Sequence, residues 1–169
     1  MKKVLLLMVA VLMISSVAMA DHIGVYSDAT GSACLLAPGF TSAAAVIQKF
    51  STGSSASRFK VVLPAGSSFF SFSTPYTTSG GLTTDLSVGY SPCLSGSFLV
   101  GTIVAILNPG TISVAPADLQ TNILWLNCDF IQFNGTGGHA TVGVSGNPQD
   151  CGEVATEPTT WGQVKALYR

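Results

Sequence analysis

Two histidines, His22 and His139, are the chain's entire supply of imidazole and so its only ordinary general bases near neutral pH. Each falls on the polar side of an alternating apolar pattern, which predicts a solvent-exposed ring. Asp85 and Asp129 also project from the wet faces of predicted strands, and if those strands paired, the two carboxylates could face each other as a glycoside-cleaving pair does. Nothing in the spacing pairs them, so solvated charges are the simpler reading. The sequence holds no G-x-S-x-G elbow, H-E-x-x-H, P-loop or G-x-G-x-x-G. No catalytic, cofactor-binding or metal residue is assigned, and no cofactor is expected.

Weaker ligand patterns have plainer explanations. Cleavage after Ala20 would leave His22 second from a free amine, where amine, backbone nitrogen and imidazole form a set that suits Cu(II). Asp28 to Gly31 and Asn147 to Asp150 are rich in oxygen donors, but neither matches the D-x-[DN]-x-[DN]-G ladder of a calcium loop. Asx turns account for both. Asn134-Gly135-Thr136 fits a glycosylation sequon and reads as a turn. Trp125 shares a predicted strand face with Asn127 and Asp129. If that face is open, the indole is an interaction platform for a sugar or a protein; if a second layer covers it, Trp125 is core.

Four cysteines, Cys34, Cys93, Cys128 and Cys151, are separated by 59, 35 and 23 residues, with no C-x-x-C among them. That spacing argues against a zinc or thioredoxin-like site and for two disulfides in an exported chain. Three connectivities are open from sequence. The preferred one joins Cys93 to Cys128 and Cys34 to Cys151, each closing a long loop worth roughly 3–5 kcal/mol in the chain-entropy model.

The elements that carry these residues show period two, not 3.6. Leu82, Thr84, Leu86, Val88 and Tyr90 alternate with polar or small neighbours, as do Phe59, Val61 and Leu63, Ile23 and Val25, and Ala140, Val142 and Val144. Turn signals punctuate them at Pro38-Gly39, Gly53 to Ser55, Pro64 to Gly66, Gly80-Gly81, Asn108 to Gly110 and Gly135 to Gly138. Phe98 to Leu107 is apolar on both faces and should be covered on both sides. Ile123 to Phe133 reads as one strand, with Leu124, Leu126, Cys128 and Phe130 on one face. Cys128 then points into the core, where its disulfide is protected. Ala43 to Phe50 reads as a strand in preference to a short helix capped by Ser42.

The chain opens as a secretory leader. Lys2 and Lys3 precede an apolar run of about 11 residues, Val4 to Ile14, too short for the roughly 20 that cross a bilayer, and Ala18-Met19-Ala20 forms an A-x-A cleavage site. Asp21, not a lipidable Cys, follows it. The 7 basic and 8 acidic residues become 5 and 8 once Lys2 and Lys3 are removed, a net charge near −3. Such a chain lacks the basic face needed to displace counterions from phosphates, which excludes nucleic-acid binding. Charged residues are only 9% of the chain while hydrophobic residues are 47%, a balance that supports one well-cored domain and argues against disorder.

The last eleven residues are different in kind. Behind a polar connector at 153–158, TTWGQVKALYR places Trp161, Val164 and Leu167 or Tyr168 on one stripe of a short helix capped by Thr159 or Thr160. A helix this short does not stand alone in water. It either packs on its own domain, for example on the outer face of the Phe98 to Leu107 strand, or serves as a tag bound by export or surface-attachment machinery.

The opening IGVYSD with Cys34 soon after it, the central YSPCLSG and the ending TTWGQVKALYR together resemble a group of uncharacterised secreted bacterial proteins. These share an IG-x-Y-x-D opening, a few cysteines and a closing W-G-x-[VI]-K-x-x-Y-R. The resemblance covers both ends and the centre of the chain, favours the tag reading, and implies no activity and no functional residue. The resulting expectation is an all-β protein: leader at 1–20, an antiparallel β-sandwich at 21–152 of immunoglobulin-like or cohesin-like type, a linker at 153–158, and a short C-terminal amphipathic helix or tag at 159–169. A non-catalytic structural or binding role outside the cell is the first reading, and an extracellular hydrolase with a loop-built site is the alternative.

Overall fold

The computed structural model describes residues 21–144 and residue 151. The expected leader, linker and C-terminal helix, with Trp161, Val164, Leu167 and Tyr168, lie outside the described residues. Ten strands follow in chain order: β1 (His22–Tyr26), β2 (Leu35–Leu36), β3 (Gly39–Val62), β4 (Ser68–Ser73), β5 (Thr77–Gly81), β6 (Asp85–Leu107), β7 (Gly110–Ala115), β8 (Ile123–Leu126), β9 (Gln132–Gly137) and β10 (His139–Val142). The architecture is all-β, a sandwich of the kind that period-two alternation favours.

Two long strands, β3 and β6, form an antiparallel spine. On one edge of β3 lie β1, opposite Ala45 to Lys49, and then β8, opposite Ala56 to Arg58, with β9 bridging the two. On the far edge of β6 lie β4 and then β5. The last residues of β3, Lys60 to Val62, leave this sheet to pair with β7, which continues through β10 to β2 as the second layer. Between the layers lie Ile23, Val25, Phe59, Val61, Leu86, Val88, Val100, Ile103, Ile112 and Ala140, all buried.

Several sequence expectations need correction, and each error has a local cause. The segments 82–90 and 98–107 belong to one strand, β6, which starts at Asp85; Leu82 is buried from the preceding turn. Gly53 to Ser55 is not a turn but an irregularity inside β3, where the register to β6 shifts twice. Gly53 has φ +84°, and a Cβ there would sit 2.6 Å from Cys128 Sγ, so the strand bends where only glycine fits. Gly135 and Asn134 lie within β9, so the sequon is strand and not turn. Val144, beyond the end of β10, is exposed rather than core. The outer side of β6 is only partly covered among the described residues: Ile103, Ala105 and Leu107 turn into the core, whereas on the opposite face Val104 is half-buried and Ile106 is 41% exposed.

The largest correction concerns Ile123 to Phe133, which is a hairpin and not one strand. The Asn127 carboxamide oxygen accepts the N–H groups of Asp129 and Ile131, each at 2.9 Å, and Phe130 turns through φ +61°. An Asx side chain thus replaces the strand ladder as acceptor and reverses the chain. Cys128 lies in this turn and is exposed, as is its partner Cys93.

Candidate functional site

The described titratable groups do not converge. Asp85, at the start of β6, accepts a bidentate pair of hydrogen bonds from Arg58 Nε at 2.7 Å and Nη2 at 2.5 Å. That donation, with the guanidinium charge, holds the Asp85 carboxyl below its ordinary range. Asp129 sits in the β8–β9 turn, apart from this pair. A glycosidase-like couple of Asp85 and Asp129 is therefore not assembled. Lys60 is committed to Asp118 at 2.7 Å, and Lys49 donates to the Gly31 carbonyl while lying over the Tyr26 ring. Among the described residues, no three His, Cys, Asp or Glu side chains group as a metal site.

His22 departs from its expected exposure. The residue is 4% exposed and shares a 2.7 Å hydrogen bond with the Tyr26 hydroxyl, and all five residues of β1 are buried, so this strand has no solvent face. Burial against Tyr26 removes this imidazole from the nitrogen set that copper would need at the amino terminus. His139 is partly buried at the start of β10. Asp28 closes its own loop as an Asx turn: its carboxylate accepts from Thr30 and Ser32, backbone and side chain alike. Desolvation pushes this carboxyl up, but the four donors together outweigh it and hold Asp28 well below the usual carboxylate range. The second oxygen-rich stretch, 147–150, lies outside the described residues.

A buried polar chain links the spine to the core. Tyr90 donates to Gln48 Oε1 at 2.7 Å and shares a very short hydrogen bond with Ser57. Burial raises the Tyr90 phenol well above its ordinary value, so the ring stays neutral and serves as a fixed connector. Tyr76 and Phe98 pack edge-on against it at 5.0 Å each.

Trp125 is core and not a platform. It is 4% exposed, with Phe50 at 4.3 Å and Phe133 stacked at 4.9 Å between ring centroids. The strand faces are inverted relative to expectation: Ile123 and Trp125 point inward, while Leu124 and Leu126 are half-buried on the outside. A shallow cleft of about 230 Å³ opens there, lined by Arg58, Ser87, Leu124, Leu126 and Gln132, with Trp125 and Ser57 contributing to its floor. The signal that could have found it is the Leu124–Leu126 alternation together with the Asn127 turn: ending the strand at Leu126 frees its parity from Cys128.

The disulfides join Cys34 to Cys151, with Cα atoms 4.9 Å apart, and Cys93 to Cys128, at 5.6 Å. Cys34 is buried at 1% and anchors the edge strand β2. The second bond ties the irregular middle of β6 to the exposed turn.

No family model and no curated protein sequence matches this chain. Among solved structures, a non-cellulosomal cohesin from the hyperthermophilic archaeon Archaeoglobus fulgidus superposes with a TM-score of 0.52 at 9% identity, over 73% of this chain and 91% of the cohesin. At that identity the likeness is one of fold: this chain is a β-sandwich similar to a cohesin domain.

Proposed function

We propose that the protein is a secreted, non-catalytic β-sandwich module with a structural or binding role at or outside the cell surface. The observation that carries this reading is the dispersal of the reactive groups among the described residues. Asp85 is paired with Arg58, the Asp28 carboxylate is taken up by donors of its own loop, and His22 is buried against Tyr26, while the cleft at Leu124 and Leu126 is shallow and holds a single charged side chain, Arg58. An enzyme of this size gathers titratable groups in a concave pocket. Two disulfides suit an oxidising compartment, and the cohesin-like sandwich is an architecture that supports binding without chemistry.

Two measurements test the proposal together. Fractionation of the native host should find the protein beyond the inner membrane, with both disulfides formed. A panel of glycoside, ester and peptide substrates should show no turnover above background. Turnover that Asp85→Asn or Asp129→Asn abolishes would replace this reading with the hydrolase, and retention in the cytosol would remove its extracellular half.

A further inference from the structure

Two apolar clusters reach the surface. One lies at the end of the spine near Cys34: Phe40 is 69% exposed, Phe70 56% and Ile106 41%, with Phe40 directly opposite Ile106 in the ladder and its ring 6.1 Å from that of Phe70. The other lies beside the middle of the spine, where Phe130 and Ile131 project from the β8–β9 turn. Contiguous exposed aromatics of this kind mark a covered or docking surface.

The chain itself holds a complementary element. Residues 152–169 follow Cys151 and include the stripe Trp161, Val164 and Leu167. Cys151 is fixed to Cys34, which precedes Phe40 by six residues, a path of at most about 20 Å. The Ser27 N–H to Ala33 carbonyl bond and the pairing of Tyr26 with Ala45 put Cys34 at the same end of the spine as Phe40. The connector 152–158 spans at most about 25 Å, so a helix starting at Thr159 can lie over Phe40 and Phe70. The far cluster is out of its range: Phe133 stacks on Trp125, Trp125 touches Phe50, and Phe50 is ten residues from Phe40, roughly 30 Å along β3. A helical stripe from Trp161 to Leu167 is roughly 9 Å long, the size of the near cluster.

We propose that the segment 159–169 docks through Trp161, Val164 and Leu167 on the Phe40, Phe70 and Ile106 patch, closing the outer face of the β3–β6 spine at its Cys34–Cys151 end. The docked tail supplies the cover that the apolar outer side of β6 lacks among the described residues. It also leaves Lys165 and Arg169 on the solvent side of the stripe.

Trp161 reports the docking. Trp125 is the other tryptophan, so the difference in emission between the purified protein and its Trp161→Phe variant isolates residue 161. The expected signal is blue-shifted and protected from acrylamide. In a Phe40→Ser/Phe70→Ser variant it should become solvent-like, with the quenching constant rising several-fold; circular dichroism and intact disulfides confirm that the fold survives. Ile106→Thr provides a second, β-branched perturbation of the same patch and should weaken the protection in the same direction. A solvent-like Trp161 in the unaltered protein overturns the proposal and marks the tail as free for a receptor. Protection that persists in both patch variants, or that vanishes on dilution because a second copy supplied it, overturns it equally.

Discussion

The two disulfides hold one end and the middle of the spine in opposite environments. Cys34 is 1% exposed and ties the edge strand β2 to Cys151 at the core, whereas Cys93 and Cys128 are both exposed and clip a turn to a bent region of β6. The first bond is part of the packing. The second holds in place a backbone that sequence irregularities have already shaped: Gly53 at φ +84°, Phe130 at φ +61° and the Asn127 cap. A buried staple couples to everything around it, while an exposed one constrains mainly the loop it closes.

That contrast can be broken experimentally. Replacing both residues of the first pair, Cys34→Ala with Cys151→Ala, should cost about 5 kcal/mol for a separation of 117 residues, read as a fall in denaturant midpoint. Removing the second pair, Cys93→Ala with Cys128→Ala, should cost about 4 kcal/mol for a separation of 35. Mild reductant followed by thiol labelling should open Cys93–Cys128 first, and equal rates for the two bonds would erase the distinction. Trp125→Ala probes the core beside the exposed disulfide; loss of its contacts with Phe50 and Phe133 should cost about 3–5 kcal/mol, and a near-neutral result would mean that the indole is a surface platform after all. Gly53→Ala forces a Cβ against Cys128 Sγ in left-handed backbone and should cost more than about 1 kcal/mol, with accelerated reduction of Cys93–Cys128 as its signature.

The smallest effect sharpens the comparison at the Cys34 end, where Asp28 orders the loop that leads into β2. Its folded carboxyl is held below the ordinary value, so its stabilisation is complete above the unfolded value of about 3.9 and is lost as the pH falls toward the folded one. Asp28→Asn should therefore melt below the unaltered protein at pH 7, and the gap should close in acid. A gap that is independent of pH would show that hydrogen-bond geometry and not charge orders the loop. Arg58→Ala at the surface pair should change stability little, since exposed ion pairs are screened.

The outcome at Ile123 to Phe133 shows how legible the candidate site was. Alternation correctly marked the segment as strand-forming, but a single Asx acceptor at Asn127 ended the strand four residues in. That stop moved Trp125 from the wet face to the core and put Leu124 and Leu126 outside, because a period of two leaves no intermediate orientation. His22 departs from expectation for a related reason: its neighbours alternate, yet every residue of β1 is buried, so the strand has no wet face.

By itself the amino-acid sequence determined the class of the fold, through its period-two runs and its scarcity of charge, and its cysteine spacing pointed to two disulfides while leaving three connectivities open, of which the structure forms the preferred one. Only the tertiary structure decided which face of each strand is covered, which disulfide is buried, and whether the scattered carboxylates and histidines meet. The reason is physical. Alternation and turn chemistry act over a few residues, whereas burial depends on which distant strand lies opposite, and here the irregular pairing of β3 with β6 settles that for the whole sandwich.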